Sequence, residues 1–484
     1  MAAGRKQESQ EAHEEDTMMG KDKENHIRII SRDRELYKKI LLLALPIAAQ
    51  YLITMGVNMM DNIMVGSLGE NSLSAVSLAN QFINIYHVCC MGLGMGASVL
   101  VARYYGMKDY LDLKRSITIM LRLCAVMGLL FTIATAAAPG AIMRIYTPEE
   151  AIIEEGVRYF GLSVYSYLLL GFSLTGTIVL RSVGQSRIPL LGSVGAFVLN
   201  VFFNYVFIFG KFGAPAMGVA GAAMGTLLAR IFEFCFIYRY LFFKEKEIGY
   251  RLKDLTMECR SLLGEYLRIS IPVLVSDALL ALGNNTVAMV MGRIGGQFVS
   301  ANAITTVTQQ MSTVAIQGLS QAGCIMVGHT LGEGNKKRAE EEGWAILGLG
   351  ILVGIIGCAL IVLLSEPIIR CYNITEETRE ITRQLMDAVG FIVIFQTMNS
   401  VLTKGVLRGG GDTKFLMIAD ILFLWAASIP LGYLAGLVWH LSAFWIYTML
   451  KIDQIIKCFW CVWRLKSGKW IKKIEAKGRK NEKI

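Results

Sequence analysis

Polar residues recur at helical spacing inside the long apolar stretches of this sequence, and the first row of them ends in a carboxylate. It consists of four residues at steps of four, four and three: Gln50, Thr54, Asn58 and Asp61. This spacing predicts that they share one face of a helix. Because an ionised Asp at the centre of a bilayer costs roughly 2.5–3.5 kcal/mol, we expect the row to face water inside the protein. Alternatively, Asp61 caps the helix end or pairs with a lysine.

Further polar rows occur in other apolar stretches. They contain Gln81, Asn84 and His87; Asn200 and Asn204; Asp277 and Asn284; and Gln309, Thr313, Gln317 and Gln321. Hydrogen bonding between neighbouring helices would also explain each row alone. Together the rows favour a polar chamber, in which Tyr205 offers an aromatic face to organic cations. His87 is either a proton-sensitive group or a hydrogen-bonded core residue, and the role of Asp420 stays open.

The surrounding sequence is that of an integral membrane protein. Hydrophobic residues make up 54% of the 484 residues and charged residues only 18%, a composition too apolar for a soluble domain. Twelve stretches are long enough to cross about 30 Å of hydrocarbon as helices. Their cores are residues 41–64, 74–101, 117–138, 160–180, 188–210, 217–242, 268–291, 300–327, 343–364, 385–406, 415–437 and 441–463. The predicted fold class is therefore an all-α integral membrane protein with twelve transmembrane helices.

Basic residues collect in alternate loops. Lys and Arg occur four times in residues 103–115, seven times in 239–268 and three times in 332–338, but not in the loops GSLGENS and GLVWHLS. This positive-inside pattern predicts that both termini are cytoplasmic, and we expect the protein in the plasma membrane. The net charge of +10 does not indicate nucleic-acid binding, because no basic face alternates with stacking aromatic residues.

The second half of the chain repeats the first at a distance of 226 residues. Eleven residues between 46 and 106 recur 226 positions later, among them Pro46 as Pro272 and Asn58 as Asn284. A shift of 227 lays LRSVGQS over LRGGGDT. We therefore predict two pseudo-symmetric six-helix bundles, with substrate between them. The predicted division is a disordered charged cytoplasmic tail at 1–38, an N-lobe at 39–242, a cytoplasmic linker at 243–263, a C-lobe at 264–465 and a basic cytoplasmic tail at 466–484.

Several motifs resemble those of the multidrug and toxic compound extrusion (MATE) transporters. They are MDNIMVGSLG in the first predicted helix, ARYYGMKD after the second, LRSVGQSRIP after the fourth, GVAGAAMGT leading into the sixth, ANAI in the eighth and GVLRGGGDT after the tenth. The resemblance runs in order over about residues 38–465. It implies twelve helices in two bundles, a V-shaped central cavity and antiport of mostly cationic organic compounds against Na+ or H+.

The same resemblance implies which residues couple transport to a cation. Asp61 matches the family's first-helix carboxylate, and Asn200 and Thr226 match its N-lobe polar network. Asn204 is a departure, because many relatives have Asp there, and Asp277 resembles a seventh-helix acid that some members use for Na+. The predicted coupling set is Asp61, Asn58, Asn200, Asn204, Thr226, Asp277 and Asn284, with a Na+ site at Asp61 or at Asp277.

The predicted cavity set is drawn from the polar rows and one aromatic residue. Its members are Gln50, Thr54, Gln81, Asn84, Tyr205, Gln309, Thr313 and Gln317. No cofactor is expected apart from the coupling ion. An oxygen cage with one carboxylate suits Na+, whereas desolvation of the acid suits H+, and the sequence does not separate the two.

A lipid or lipid-linked oligosaccharide flippase of related architecture is the main alternative. Its pyrophosphate would require several cationic residues in the cavity, and the predicted polar rows contain none. An integral-membrane enzyme would need paired metal ligands, or a nucleophile and base, near a membrane face, and no such set is evident. We therefore expect a multidrug efflux transporter that acts as a monomer on small, mostly cationic compounds within membrane lipid.

Overall fold

The structure, a computed structural model, describes residues 33–370, 372 and 374–473. Helices are the regular secondary structure of these residues. Most of the two predicted tails, residues 1–32 and 474–484, lies outside the described part of the chain.

The first half of the described chain contains eight helices. They are α1 (Arg34–Gly66), α2 (Glu70–Gly106), α3 (Tyr110–Ala137), α4 (Pro139–Tyr146), α5 (Glu150–Ser163), α6 (Ser166–Ser182), α7 (Arg187–Phe209) and α8 (Val219–Lys244). A 3₁₀ turn at Leu252–Thr256 follows in the predicted linker.

The second half begins with long helices and ends with short ones. They are α9 (Arg260–Ile294), α10 (Gly296–Gly332), α11 (Lys336–Arg370), α12 (Glu376–Gly409), α13 (Thr413–Val438), α14 (Ala443–Leu450) and α15 (Ile452–Lys466). α12 contains a wide π-helical turn at Val401–Val406, and α13 contains two, at Leu424–Ser428 and Leu434–Val438.

Ten of the predicted spans have helices that could cross a membrane. Nine helices of the described residues are long and apolar enough, and α5 with α6, bent by 57°, makes a tenth. The remaining two predicted spans correspond to α10, which carries the polar row ending at Gln321, and to α14 with α15, which are separated at Lys451. The all-α membrane architecture is therefore confirmed, while the number twelve stays a prediction.

Repeat-related glycines make the turns between the first two helices of each half. Gly69 lies between α1 and α2 with φ 127°, and Gly295 lies between α9 and α10 with φ 157°. These are positive φ values that residues with a Cβ rarely adopt. The turns therefore explain why glycine recurs at this position after 226 residues.

The two halves meet through contacts that obey the same repeat. α1 packs on α10, and α2 packs on α9. A Cβ built on Gly92 would lie 2.8 Å from the Leu274 Cα, and one built on the repeat mate Gly318 would lie 2.7 Å from the Ala48 Cβ. Ala48 is itself the repeat mate of Leu274. The close approach on one side of the interface is thus repeated on the other.

The segment after α15, which is the start of the predicted basic tail, is folded against both halves. Trp470 is fully buried, and a Cβ on Gly410 would overlap it. Arg103 of α2 donates hydrogen bonds to the backbone oxygens of Lys472, at 2.5 Å, and Gly409, at 3.2 Å. We call residues 467–473 the C-terminal strap, because they connect the ends of α12 and α2.

Candidate cation and substrate sites

A carboxylate and three polar side chains form one hydrogen-bonded chain inside the first half. The Asn204 Nδ2 donates to Asp61 Oδ1 at 2.5 Å and also lies 3.4 Å from Asn200 Oδ1. The Asn200 Nδ2 in turn lies 3.4 Å from Thr226 Oγ1. α1, α7 and α8 each contribute to this group. The structure thus brings together four residues of the predicted coupling set, and their role in coupling stays a prediction.

This Asp61 group is rich in oxygen and has no basic partner at close range. Among the described residues, no lysine, arginine or histidine nitrogen lies within 4.0 Å of the Asp61 carboxylate. Asn204 is fully buried, and its Oδ1 accepts no hydrogen bond within the described chain. A buried acceptor without a donor is uncommon in proteins. The group can therefore accept a proton or a small cation without displacing an ion pair.

The four residues of the first polar row have two different surroundings. Gln50 and Asp61 face α7, where Gln50 donates to Ser193 Oγ at 2.7 Å. Thr54 and Asn58 instead line a cleft beside α10. Each step of four residues advances by about 40° more than a full helical turn, so Thr54 and Asn58 lie about 40° and 80° around α1 from Gln50. The final step of three returns Asp61 to within about 20° of Gln50.

A buried arginine that the sequence did not single out joins the two halves. Arg181 donates to Gln50 Oε1 through Nη2 at 2.5 Å and to Gln321 Oε1 through Nη1 at 2.7 Å. Its guanidinium also lies 5.5 Å from the ring centre of Tyr51. The usable signal was the repeated LR motif, in which Arg181 corresponds to Arg408. Gln50 is therefore part of this buried network rather than a cavity wall.

The α1–α10 cleft is a cavity between the two halves. It has a volume of about 940 Å³ and is lined by α1, α2 and α10. Of the predicted cavity residues, it contains Thr54, Thr313 and Gln317, together with the predicted coupling residue Asn58. Met55 and Met59 add flexible apolar surface, which suits ligands of different shape.

The C-half cavity adjoins this cleft and shares Tyr51, Thr313 and Gln317 with it. It has a volume of about 480 Å³. The predicted residues that line it are Asp277, Asn284, Gln309, Thr313, Gln317 and Gln321, as well as His87 and Asp420, whose roles were open. Gln309 donates to Gln396 Oε1 at 2.7 Å. The predicted polar rows thus also line this cavity, whose wall comes mostly from the second half.

Basic side chains line the C-half cavity, and their presence corrects the expectation that the chamber has no cationic residues. Lys404 and Arg408 come from α12, Lys451 from the break between α14 and α15, and Lys457 from α15. The polar rows did not reveal them because they lie on different helices. The stated objection to a substrate with a negative charge therefore no longer holds.

Most acids of the C-half cavity are already paired with these basic groups. Asp277 Oδ1 lies 3.7 Å from Arg408 Nη2. Lys457 Nζ lies 3.2 Å from Asp420 Oδ1 and 2.9 Å from Asp453 Oδ2. Asp420, for which no partner was evident, thus has one in α15 and also accepts a hydrogen bond from a serine of α9. Asp277 therefore differs from Asp61, because a fixed cation stands beside it.

Besides Gln50, three predicted cavity residues lie outside both cavities. Gln81, Asn84 and Tyr205 are exposed, and they are not among the residues that line the α1–α10 cleft or the C-half cavity. Gln81 and Asn84 belong to α2, and Tyr205 of α7 packs on Phe209. Their spacing alone did not indicate which neighbour they would meet.

The MatE family model matches two parts of the chain, residues 46–206 and 272–434. The matches start at the repeat mates Pro46 and Pro272 and together cover more than half of the chain. The chain belongs to the MatE family. This MatE chain is 28% identical over 445 residues to a probable multidrug resistance protein NorM of Thermotoga maritima, which covers 91% of the chain and 94% of that protein.

Solved structures share the fold of this MatE chain. A multidrug resistance MATE family transporter of the MOP superfamily, solved in an outward-facing conformation, superposes with a TM-score of 0.81 at 20% identity, over 91% of this chain and 99% of that one. A MOP superfamily transporter from Pyrococcus furiosus, described as having a binding pocket of reverse polarity, gives 0.80 at 21% identity, over 92% and 99%. At these identities the likeness concerns the fold.

Proposed function

We propose that this chain is a secondary active multidrug efflux transporter that exchanges organic cations for Na+ or H+ at Asp61. The observation that carries the proposal is the contrast between the two acids of the predicted coupling set. Asp277 stands 3.7 Å from an arginine nitrogen, whereas Asp61 has amide partners and no basic nitrogen of the described residues within 4.0 Å. The negative charge of Asp61 is therefore available to an exchangeable cation.

Exchange follows from competition for this one charge. A proton or Na+ at Asp61 removes the field that attracts a cationic compound to α1, and a bound compound disfavours the ion in turn. Such coupling is reciprocal, because each ligand changes the affinity of the other by the same factor. The Asn200, Asn204 and Thr226 oxygens would complete a hard-oxygen cage for Na+, and burial of the carboxylate would favour H+.

The α1–α10 cleft supplies the route for the compound. Asn58 and Asn62 line it on the helix that carries Asp61, so a ligand in the cleft and an ion at Asp61 act on the same helix. We further propose that the repeat halves are the N-lobe and C-lobe of a twelve-helix monomer, that both termini are cytoplasmic, and that alternating access exposes the cleft to each side of the plasma membrane in turn. The probable multidrug resistance function of the NorM relative supports this substrate class.

Transport into proteoliposomes tests the proposal. The purified chain is reconstituted, rhodamine 6G is added as a fluorescent organic cation, and a Na+ gradient and a proton gradient are imposed separately. One of the two gradients should drive dye movement in the wild type, and Asp61→Asn should reduce that movement to the level of protein-free vesicles. Asp387→Asn is the matched control, because this carboxylate of α12 is exposed, and it should transport like the wild type.

Two results would reject the proposal. One is dye movement that neither gradient drives. The other is gradient-driven movement of the same rate in Asp61→Asn and in Asp387→Asn, since coupling would then not require the carboxylate of α1.

A further inference from the structure

The C-half cavity carries more positive than negative side chains. Four basic residues and three acidic residues line it, an excess of one positive charge. In a protein interior, charged groups are normally paired, because the desolvation of an unpaired ion is costly. The four basic groups of this cavity differ in whether they have a carboxylate partner.

Two lysines in this cavity have none. Arg408 is paired with Asp277, and Lys457 bridges two aspartates. In contrast, no carboxylate oxygen of the described residues lies within 4.0 Å of the Nζ of Lys404 or Lys451. Lys451 has only the amide oxygen of Asn284, at 3.2 Å, and Lys404 makes no hydrogen bond within the described chain. Both ammonium groups are thus available to a ligand.

Irregular backbone positions these two lysines. Lys404 lies in the π-helical turn Val401–Val406 of α12, and Lys451 has φ −119° and ψ 17°, where α14 ends and α15 begins. Leu424 of the opposite wall begins the π-helical turn Leu424–Ser428 of α13. Wide turns and interrupted helices often occur at functional sites, and in transporters they line the substrate site. Three separate interruptions around one cavity indicate a ligand site rather than a packing defect.

The rest of the wall suits an organic molecule that bears an acidic group. The amides of Gln309, Gln396 and Gln454 can donate hydrogen bonds, while Leu280 and Ile316 provide apolar surface. Amide donors and ammonium groups stabilise carboxylate and phosphate oxygens. A purely cationic compound would meet the excess positive charge at this end of the chamber. At the other end it would meet the uncharged amides of Asn58 and Asn62, on the helix that carries Asp61.

We propose that the C-half cavity binds the anionic group of an amphipathic organic carboxylate, sulfonate or phosphate, with Lys404 and Lys451 as its direct contacts. This inference rests on the proposed function, since it names a second substrate class for the same transporter. Anionic compounds occupy the C-half cavity, and cationic compounds occupy the α1–α10 cleft. A zwitterion spans both, through the shared residues Tyr51, Thr313 and Gln317.

Two xanthene dyes of opposite charge test this assignment on the full purified chain. Fluorescein carries a carboxylate, and rhodamine 123 has the same ring system with a positive charge. Binding is measured by fluorescence anisotropy in neutral detergent. The double variant Lys404→Gln/Lys451→Gln should weaken fluorescein binding at least tenfold and leave rhodamine 123 binding unchanged or tighter. Lys246→Gln, a change of an exposed lysine in the predicted linker, should match the wild type for both dyes.

A charge-conserving variant separates the loss of charge from a loss of folding. Lys404→Arg/Lys451→Arg should retain fluorescein affinity within about threefold. Three results would overturn the proposal. They are equal fluorescein affinity in the Gln variant and the wild type, an equal loss of affinity for both dyes in the Gln variant, and a loss of fluorescein affinity in the Arg variant.

A lipid headgroup is the other source of a suitable anion. Nanodiscs of phosphatidylcholine with and without phosphatidylglycerol distinguish it from a soluble substrate. Unchanged fluorescein affinity supports the soluble compound, and displacement of the dye by phosphatidylglycerol overturns it in favour of lipid. If the Asp61 transport test fails but fluorescein still binds through the two lysines, only the proposed coupling is rejected. If transport is coupled normally but fluorescein does not bind, only this inference is rejected.

Discussion

The glycine contacts between the halves allow a stability prediction with an internal control. A Cβ added in Gly318→Ala would lie 2.7 Å from the Ala48 Cβ and 2.7 Å from the Ala44 backbone oxygen. Ordinary contacts of a Cβ are 3.4–4 Å, so α1 and α10 must separate by roughly 1 Å. Overpacking of this kind typically costs about 1–3 kcal/mol, because a close-packed interior has no room to adjust.

The matched control is Gly292→Ala. Gly292 also lies inside a long helix, α9, but a Cβ there would have no atom within 4 Å. Both substitutions gain about 0.5–1 kcal/mol of helix stability from the loss of glycine flexibility. The difference between the two variants therefore isolates the overpacking between α1 and α10, and it should be about 1–3 kcal/mol.

Thermal unfolding of the purified proteins, followed by tryptophan fluorescence in detergent, measures this difference. Gly318→Ala should have a lower midpoint than the wild type, and Gly292→Ala an equal or higher one. The repeat mate Gly92→Ala should resemble Gly318→Ala, since its Cβ would meet the Leu274 backbone at 2.8 Å. Equal midpoints of Gly318→Ala and Gly292→Ala would refute the close packing of the halves.

Two further changes test the strap and the Asp61 group. Trp470→Ala should lower the free energy of unfolding, measured by chemical denaturation, by about 3–5 kcal/mol, as for other fully buried aromatic residues. Lys469→Ala changes an exposed neighbour and should unfold like the wild type. Similar denaturation midpoints for the two variants would contradict the burial of the strap. Gly225→Ala should slow gradient-driven transport as Asp61→Asn does, because its Cβ overlaps the Asn204 side chain, whereas Gly161→Ala, with no atom within 4 Å, should transport normally.

The sequence predicted the parts of the architecture that depend on composition and on the repeat. Ten of the twelve predicted spans followed from the composition, and the repeat placed Pro46 and Pro272 at matching positions in the two halves. The grouping of Asp61 with Asn204, which lies 143 residues later, followed from the resemblance to a family and not from spacing. A helix pattern shows which face of a helix is polar but not which helix that face will meet.

The basic residues of the C-half cavity show why the remainder could not be predicted. Lys404 follows the start of a π-helical turn, in which an additional residue rotates all later side chains by about 100° relative to a regular helix. Lys451 lies at the break between α14 and α15, and no proline or glycine next to it in the sequence indicates this break. Trp470 lies among lysines in the sequence, so its burial depends on the cavity that Gly410 leaves at the end of α12. Each feature comes from tertiary packing rather than from local pattern.

Exchange at Asp61 requires that the ion and the drug weaken each other's binding. The dissociation constant of rhodamine 6G is measured on the purified wild type and on Asp61→Asn over a range of Na+ concentration and, separately, of pH. In the wild type the dye should bind more weakly as the concentration of one of the two ions increases, and in Asp61→Asn its affinity should no longer depend on that ion. An ion dependence that is identical in both proteins would contradict exchange at Asp61.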